Sequence, residues 1–155
     1  MQNIIKSKTR LAFIQFIFLS FSKNDNLKSL AEEFENYFYN LKVSSIEENV
    51  DKIIKFNKNF FNKLIDSYSM FLINNKNLEK LIDNLISFDR KFSNWDNINK
   101  SIILSILSEI EITPNNKIKI VLNDYLNISK SFISKKEQKM LNAIVDKYIN
   151  EKKII

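Results

Sequence analysis

The sequence predicts an all-α fold, a single compact helical bundle of about seven helices spanning residues 1–155. Three observations predict it. The chain has one proline and no glycine, so the turn residues that β-hairpins depend on are missing. Apolar residues recur three or four apart along most of the length. Two stretches, Ser45-Ile-Glu-Glu48 and Ser134-Lys-Lys-Glu137, have the form of capping boxes, in which the serine accepts from a backbone amide and the glutamate reaches back. With 45% hydrophobic and 27% charged residues the chain can bury a core, and 155 residues suffice for one domain but not for two large ones.

The elements follow in order. A first helix is expected over about 8–21 and a second over about 27–40. The box at Ser45 is expected to open a long helix. Val50, Ile53, Phe60 and Leu64 form one stripe on it, with Ile54, Phe61, Ile65, Tyr68 and Leu72 beside it. Asn74-Asn-Lys-Asn77 reads as a loop before a fourth helix over about 78–88. Asp96 or Asn97 is placed to cap a fifth over about 98–111, with Ile102, Ile103, Ile106, Leu107 and Ile110 buried and Thr113-Pro114 ending it. A sixth spans about 117–132. The seventh starts at the Ser134 box and buries Met140, Leu141, Ile144, Val145, Tyr148 and Ile149. Without glycine, left-handed helix ends fall to asparagine, for which Asn24, Asn40 and Asn74 are placed.

Composition narrows the chemistry. Cysteine and histidine are absent, which removes thiolate nucleophiles, disulfides, the usual general base and the commonest metal ligands. The absence of glycine removes phosphate-cradling loops. No catalytic residue, metal or cofactor is therefore expected, and the chain reads as a binder rather than an enzyme. Its formal charge of +6 is unevenly spread. Residues 1–24 hold four cations and no acid, residues 130–155 hold seven lysines against three acids, and the middle is slightly acidic. If the two ends meet, they form one basic face.

The stretch Lys6-Ser-Lys-Thr-Arg-Leu-Ala-Phe-Ile-Gln-Phe-Ile-Phe18 raises a choice. A basic start before an apolar run from Leu11 to Phe21 has the outline of an export signal. No small-residue cleavage site follows, Gln15 interrupts the run, and the run is too short to cross a bilayer. The alternatives are a core helix with solvated cations, or a helix whose basic end grips an acidic partner.

Residues at both ends carry a resemblance. Thr9-Arg-Leu-Ala-Phe-Ile-Gln-Phe-Ile-Phe18 is similar to the A-R-x-x-A-x-Q-x-L-Y opening of the NusB family, with Arg10, Gln15 and Phe18 matching. Residues 122–149 resemble the family's C-terminal pattern, matching at Asn123, Lys130, Phe132, Asn142, Asp146 and Lys147 without a gap. Residues 98–110 look like a degraded form of its I-D-R-A-I-L-R-L-A-x-Y-E-L segment, keeping Ile98, Ile102, Glu109 and Ile110. The departures are Asn99-Lys100 for Asp-Arg, Ala143 for glycine, Pro114 about three residues early, Trp95 out of register, and a basic stretch with more Lys than Arg. Lysine meets phosphate as a point charge where arginine can fork onto it.

The resemblance implies a NusB-like RNA-binding bundle of about seven helices and a role in transcription antitermination at ribosomal RNA operons. It implies as partners a boxA-type single-stranded RNA, a ribosomal protein acting as NusE, and the RNA polymerase elongation complex, in the cytoplasm and with no membrane. Lys6, Lys8 and Arg10 are expected to be solvated and to contact phosphates, with Phe18 and Met140 near the bases and Lys135, Lys136 and Lys139 extending the strip. Partner contact is assigned by resemblance to the helix over 98–111, with Asn99, Lys100 and Glu109 as candidates. The same fold serves as the appendage of an RNA cytosine methyltransferase, but this chain carries no cofactor-binding βαβ pattern and no catalytic cysteine. From a different class, the chain could be a non-catalytic helical adaptor or a peripheral membrane protein using its basic-apolar first helix.

Overall fold

The computed structural model describes residues 3–23, 26–39, 42–44, 51–53, 56–85 and 90–152. Seven α-helices lie among the described residues: α1 (Asn3–Ser20), α2 (Leu27–Tyr39), α3 (Lys58–Asn74), α4 (Leu78–Leu85), α5 (Asn97–Ile110), α6 (Ile118–Ser129) and α7 (Lys135–Lys152). The helical bundle is thus as the sequence predicts. Two differences concern where helices start. Helix α1 begins at Asn3, about five residues before the expected start, so Lys6 joins Lys8 and Arg10 on the helix. Helix α3 begins at Lys58 and not after Ser45; the expected capping box lies outside the described residues, as do Val50 and Ile54. Two short antiparallel strands are described on either side of residues 45–50, β1 (Lys42–Ser44) and β2 (Asp51–Ile53), with Val43 opposite Lys52. Short apolar runs fit a strand as well as a helix, and periodicity alone does not separate them.

The real cap of α3 is Asn57, whose side chain accepts from the Phe60 amide at 2.8 Å. The amide of Asn57 in turn donates to Thr9 Oγ1 at 2.9 Å, which ties the start of α3 to α1. At the far end of α3, Asn75 caps by donating both its backbone amide and its side-chain amide to the Phe71 carbonyl. Asn74 is the last residue of the helix and Asn75 has a φ of −129°, so the left-handed turn expected at Asn74 does not form there. Asn24 and Asn40 lie outside the described residues.

The core is built on α1 and α5. Helix α1 packs against α2, α3, α5 and α6, and α5 also meets α3, α6 and α7. Helix α5 is buried along most of its length, including Ile102, Ile103, Ile106 and Leu107, while Ile110 is half-buried. Ser101, Ser105 and Ser108 make burial on several faces possible. They are small, and each hydroxyl donates to the carbonyl four residues back, at 2.6–2.7 Å, so no polar group is stranded. The Ser67 hydroxyl from α3 donates to the Ser108 carbonyl and locks α3 onto α5. Rings fill the space between α1, α2 and α3: Phe16 meets Phe34 and Phe61 edge-on at 5.9 and 5.8 Å, and Phe34 stacks on Phe61 at 5.4 Å. The second capping box forms as predicted, with the Ser134 amide donating to Glu137 at 3.0 Å and the Glu137 amide to Ser134 Oγ at 3.2 Å.

Candidate functional site

Arg10 departs most from expectation. It is 8% exposed, and its guanidinium is clasped by acids from two helices. Nε and Nη2 donate to Glu109 on α5 at 3.0 and 2.7 Å, and Nη1 donates to Asp124 on α6 at 2.6 Å. Tyr125 Oη donates to Glu109 at 2.8 Å, and Ser7 Oγ donates to Asp124 at 2.7 Å. The rings of Phe60 and Tyr125 lie 5.5 and 5.7 Å from the guanidinium carbon. Burial alone lowers the pKa of Arg10, but hydrogen bonds to Glu109 and the charge of Glu109, with Asp124, outweigh it and raise it. Burial, then the nearby Glu109 carboxylate, pushes the Tyr125 phenol well up. The network joins α1, α5 and α6 through fully paired polar groups. Arg10 is therefore not a solvated cation, and its charge is met inside the protein.

The same geometry corrects the expectation for Glu109. It is 3% exposed and faces Arg10, ten residues and roughly 15 Å along α5 from Asn99. Asn99 is also buried and donates to Glu137 at the start of α7. Lys100 is half-buried, donates to the Ser93 carbonyl at 3.1 Å and lies 5.6 Å from the Phe92 ring centre. Asn99 and Lys100 stand together near the α5–α7 junction, whereas Glu109 belongs to the interior clasp.

The remaining candidates are at the surface. Lys8, Lys135, Lys136 and Lys139 are exposed, Lys6 is half-exposed, and Met140 is half-buried against the core. Phe18 is 47% exposed. It borders a groove of about 560 Å³ that runs along α1, with Leu11, Ile14 and Gln15 on its own helix, Tyr37 across on α2, and Ile98 and Phe132 closing it. Phe132 and Tyr37 are 47% and 65% exposed, which is much ring surface for one groove. Lys23 lies on the same lining.

The two basic ends of the sequence approach one another. Ser7, between Lys6 and Lys8, is bonded to Asp124 of α6, and Phe132, just past α6, shares the groove with Phe18. The start of α7, carrying Lys135 and Lys136, is held to the start of α5 by Asn99 and Glu137. Sequence reasoning missed Asp124, Tyr37 and Ser7. No local pattern distinguishes them, because their partners lie far away along the chain.

The sequence model of the NusB family matches residues 7–150. The chain belongs to the NusB family. Its match includes Arg10, Phe18, Glu109 and Phe132, the residues of the clasp and of the groove. Relatives named transcription antitermination protein NusB are 24% identical in Rickettsia massiliae (strain Mtu5) and Rickettsia felis (strain ATCC VR-1525 / URRWXCal2). Each aligns over 148 residues, 94% of this chain and 92% of the relative. The relative of that name in Bartonella quintana (strain Toulouse) is 24% identical over 149 residues, 91% of this chain and 85% of its own length. Arg10 and Glu109 both fall within the matched residues, and each is the other's partner in the clasp. Among the described residues no helix is long and apolar enough to cross a membrane, and no group of acids could hold a metal ion.

Proposed function

We propose that this chain is a transcription antitermination factor. In this reading it binds boxA-type single-stranded RNA of ribosomal RNA operons together with a ribosomal protein acting as NusE, and joins the RNA polymerase elongation complex. The observation that carries the reading is the groove along α1, where Phe18 and Phe132 offer exposed ring faces beside Gln15 and Lys23, with Glu33 the one acid of the lining. Single-stranded nucleic acid binds to such combinations of rings and cations, with roughly 1–3 kcal/mol per stacked base. Lys6, Lys8, Lys135, Lys136 and Lys139 serve as phosphate contacts, and Phe18 and Met140 lie near the bases. Arg10 supports the RNA surface by holding α1 in place and does not itself touch phosphate. Asn99 and Lys100 are the partner-side candidates that remain once Glu109 is assigned to the clasp.

Fluorescence anisotropy with a labelled boxA-like RNA, with and without the ribosomal partner, tests the reading. The chain alone should bind weakly, because its N-terminal stretch has only Lys6, Lys8 and Arg10 and the last of these is held in the clasp. The partner should tighten binding clearly, since it brings a second surface to the same strand. Equal affinity in both conditions would remove the heterodimer mechanism and leave a stand-alone RNA binder.

A further inference from the structure

The first two turns of α1 lack what steadies a helix start. Residues 1–24 contain no acid, so the first turn of α1 has none to meet the positive end of the helix dipole. Lys6 and Lys8 stand near that end instead, beside the β-branched Ile4 and Ile5. Packing does not make up the difference. None of residues 3–8 is buried, Ile4 is 67% exposed, and burial begins at Thr9.

A single bond ties this stretch to the bundle. Among the described residues, Ser7 Oγ to Asp124 at 2.7 Å is the one side-chain hydrogen bond or ion pair that runs from residues 3–8 to another element. Its acceptor belongs to the clasp: Asp124 takes Ser7 on Oδ1 and Arg10 on Oδ2. The acid missing from the start of α1 is thus supplied by α6. A hydrogen bond to an ionised acceptor is about twice as strong as a neutral one. Lys6 and Lys8 flank Ser7 at about 100° to either side around the helix, so they stand on the two sides of the line where α1 meets α6.

We propose that Ser7 is a positioning residue for RNA binding: its bond to Asp124 keeps the first two turns of α1 helical against α6 and so presents Lys6 and Lys8 together to one strand. This rests on the RNA reading above and adds to it a residue that touches no RNA. Without the bond both lysines keep their charge, but the head of α1 must be ordered as the strand binds. Apparent affinity then falls with the fraction of chains in which the head is already in place.

Ser7→Ala tests this, since it removes one half-buried hydroxyl and leaves Arg10 bonded to Glu109 and Asp124. Two measurements are made on the full chain. Without RNA, amide hydrogen exchange should quicken about tenfold at residues 7–9, whose amides close the first turns, and stay unchanged at residues 13–17 in the core. With boxA-like RNA and the ribosomal partner, anisotropy should show binding roughly tenfold weaker. The slope of log K on log salt should be kept, because the same phosphates are neutralised once the strand is bound. Ser7→Thr, which restores a hydroxyl, should return both readings toward wild type. Unchanged exchange overturns the proposal, and a loss of affinity would then mark Ser7 as an RNA contact itself. Quicker exchange with unchanged affinity also overturns it, since the lysines would need no positioning. If the wild-type chain with its partner binds no RNA, the RNA reading fails and the role in RNA binding fails with it, while quicker exchange would still identify the bond as what holds the head of α1.

Discussion

At the scale of single residues, the clasp around Arg10 sets the energetics of the first helix. A buried ion pair gives little net stability compared with a well-packed apolar pair, because both charges must leave water. Removing one member is another matter, since the other remains buried and unpaired. Arg10→Ala is expected to cost about 3–5 kcal/mol in urea unfolding. Changing Arg10 and Glu109 together to methionine, with Tyr125→Phe so that its hydroxyl is not stranded, should recover most of that loss, and this variant is the measurement that separates pairing from packing. The same residue shows how far a motif can be read. Arg10 is recognisable as a family position from ten residues of sequence, but its surroundings are not. Asp124 and Glu109 lie 114 and 99 residues away, and only the assembled bundle brings them to it. A basic residue at the head of an apolar run looks solvated until those acids are in place.

Among the elements, helix starts are the most legible feature where the cap is local and the least where it is not. The Ser134 box uses only residues within one turn, and it forms as written. The start of α3 depends on Asn57, whose amide is held by Thr9 from another helix, and no stretch around residue 57 announces that. Ser134→Ala should destabilise the protein by about 1 kcal/mol, visible as a lower urea midpoint. The partner Glu137 adds a pH signature. The Ser134 backbone amide, then the Asn99 side chain, hold its carboxyl below the ordinary 4.5. An acid whose folded pKa is depressed contributes stability in full above its unfolded value and loses it as pH falls through the folded one. Glu137→Gln should therefore lower stability at neutral pH and narrow its gap to wild type below pH 4.5. Paired urea titrations on either side of that value check it.

For the whole molecule, the relevant quantity is how many cations face outward. Each phosphate of a single strand that the protein no longer neutralises flattens the dependence of log K on log salt by roughly 0.7. With Arg10 committed internally, changing Lys6 and Lys8 to alanine should flatten the slope by up to about 1.4, and Arg10→Lys should leave the slope nearly alone while lowering stability. Lys135→Ala with Lys136→Ala should flatten it further if both basic ends meet one strand, and Lys100→Ala should do less. Anisotropy titrations at several salt concentrations read all of these. The bundle, its helix count and the apolar stripes of α5 and α7 are legible in the sequence, because they follow from periodicity, whereas the burial of Ser101, Leu104, Ser105 and Ser108 on the other faces of α5 is not. The groove is not. It needs α1, α2 and the turn after α6 side by side, and Tyr37 and Phe132 are ordinary exposed rings until that happens.

The clasp also bears on how the chain is made. Helix α1 leaves the ribosome well before its anchoring partners at 109 and 124, which follow about a hundred residues later. At about 5–20 residues per second, that leaves a wait of several seconds or more. During it, Phe13, Phe16 and Ile17, which end fully buried, have only α2 and then α3 for cover. A nascent apolar helix with a basic head is what targeting factors and chaperones screen for. The feature that makes residues 6–21 look like an export signal is therefore physically present for a time during synthesis, and it ends when Glu109 and Asp124 arrive to draw Arg10 inward.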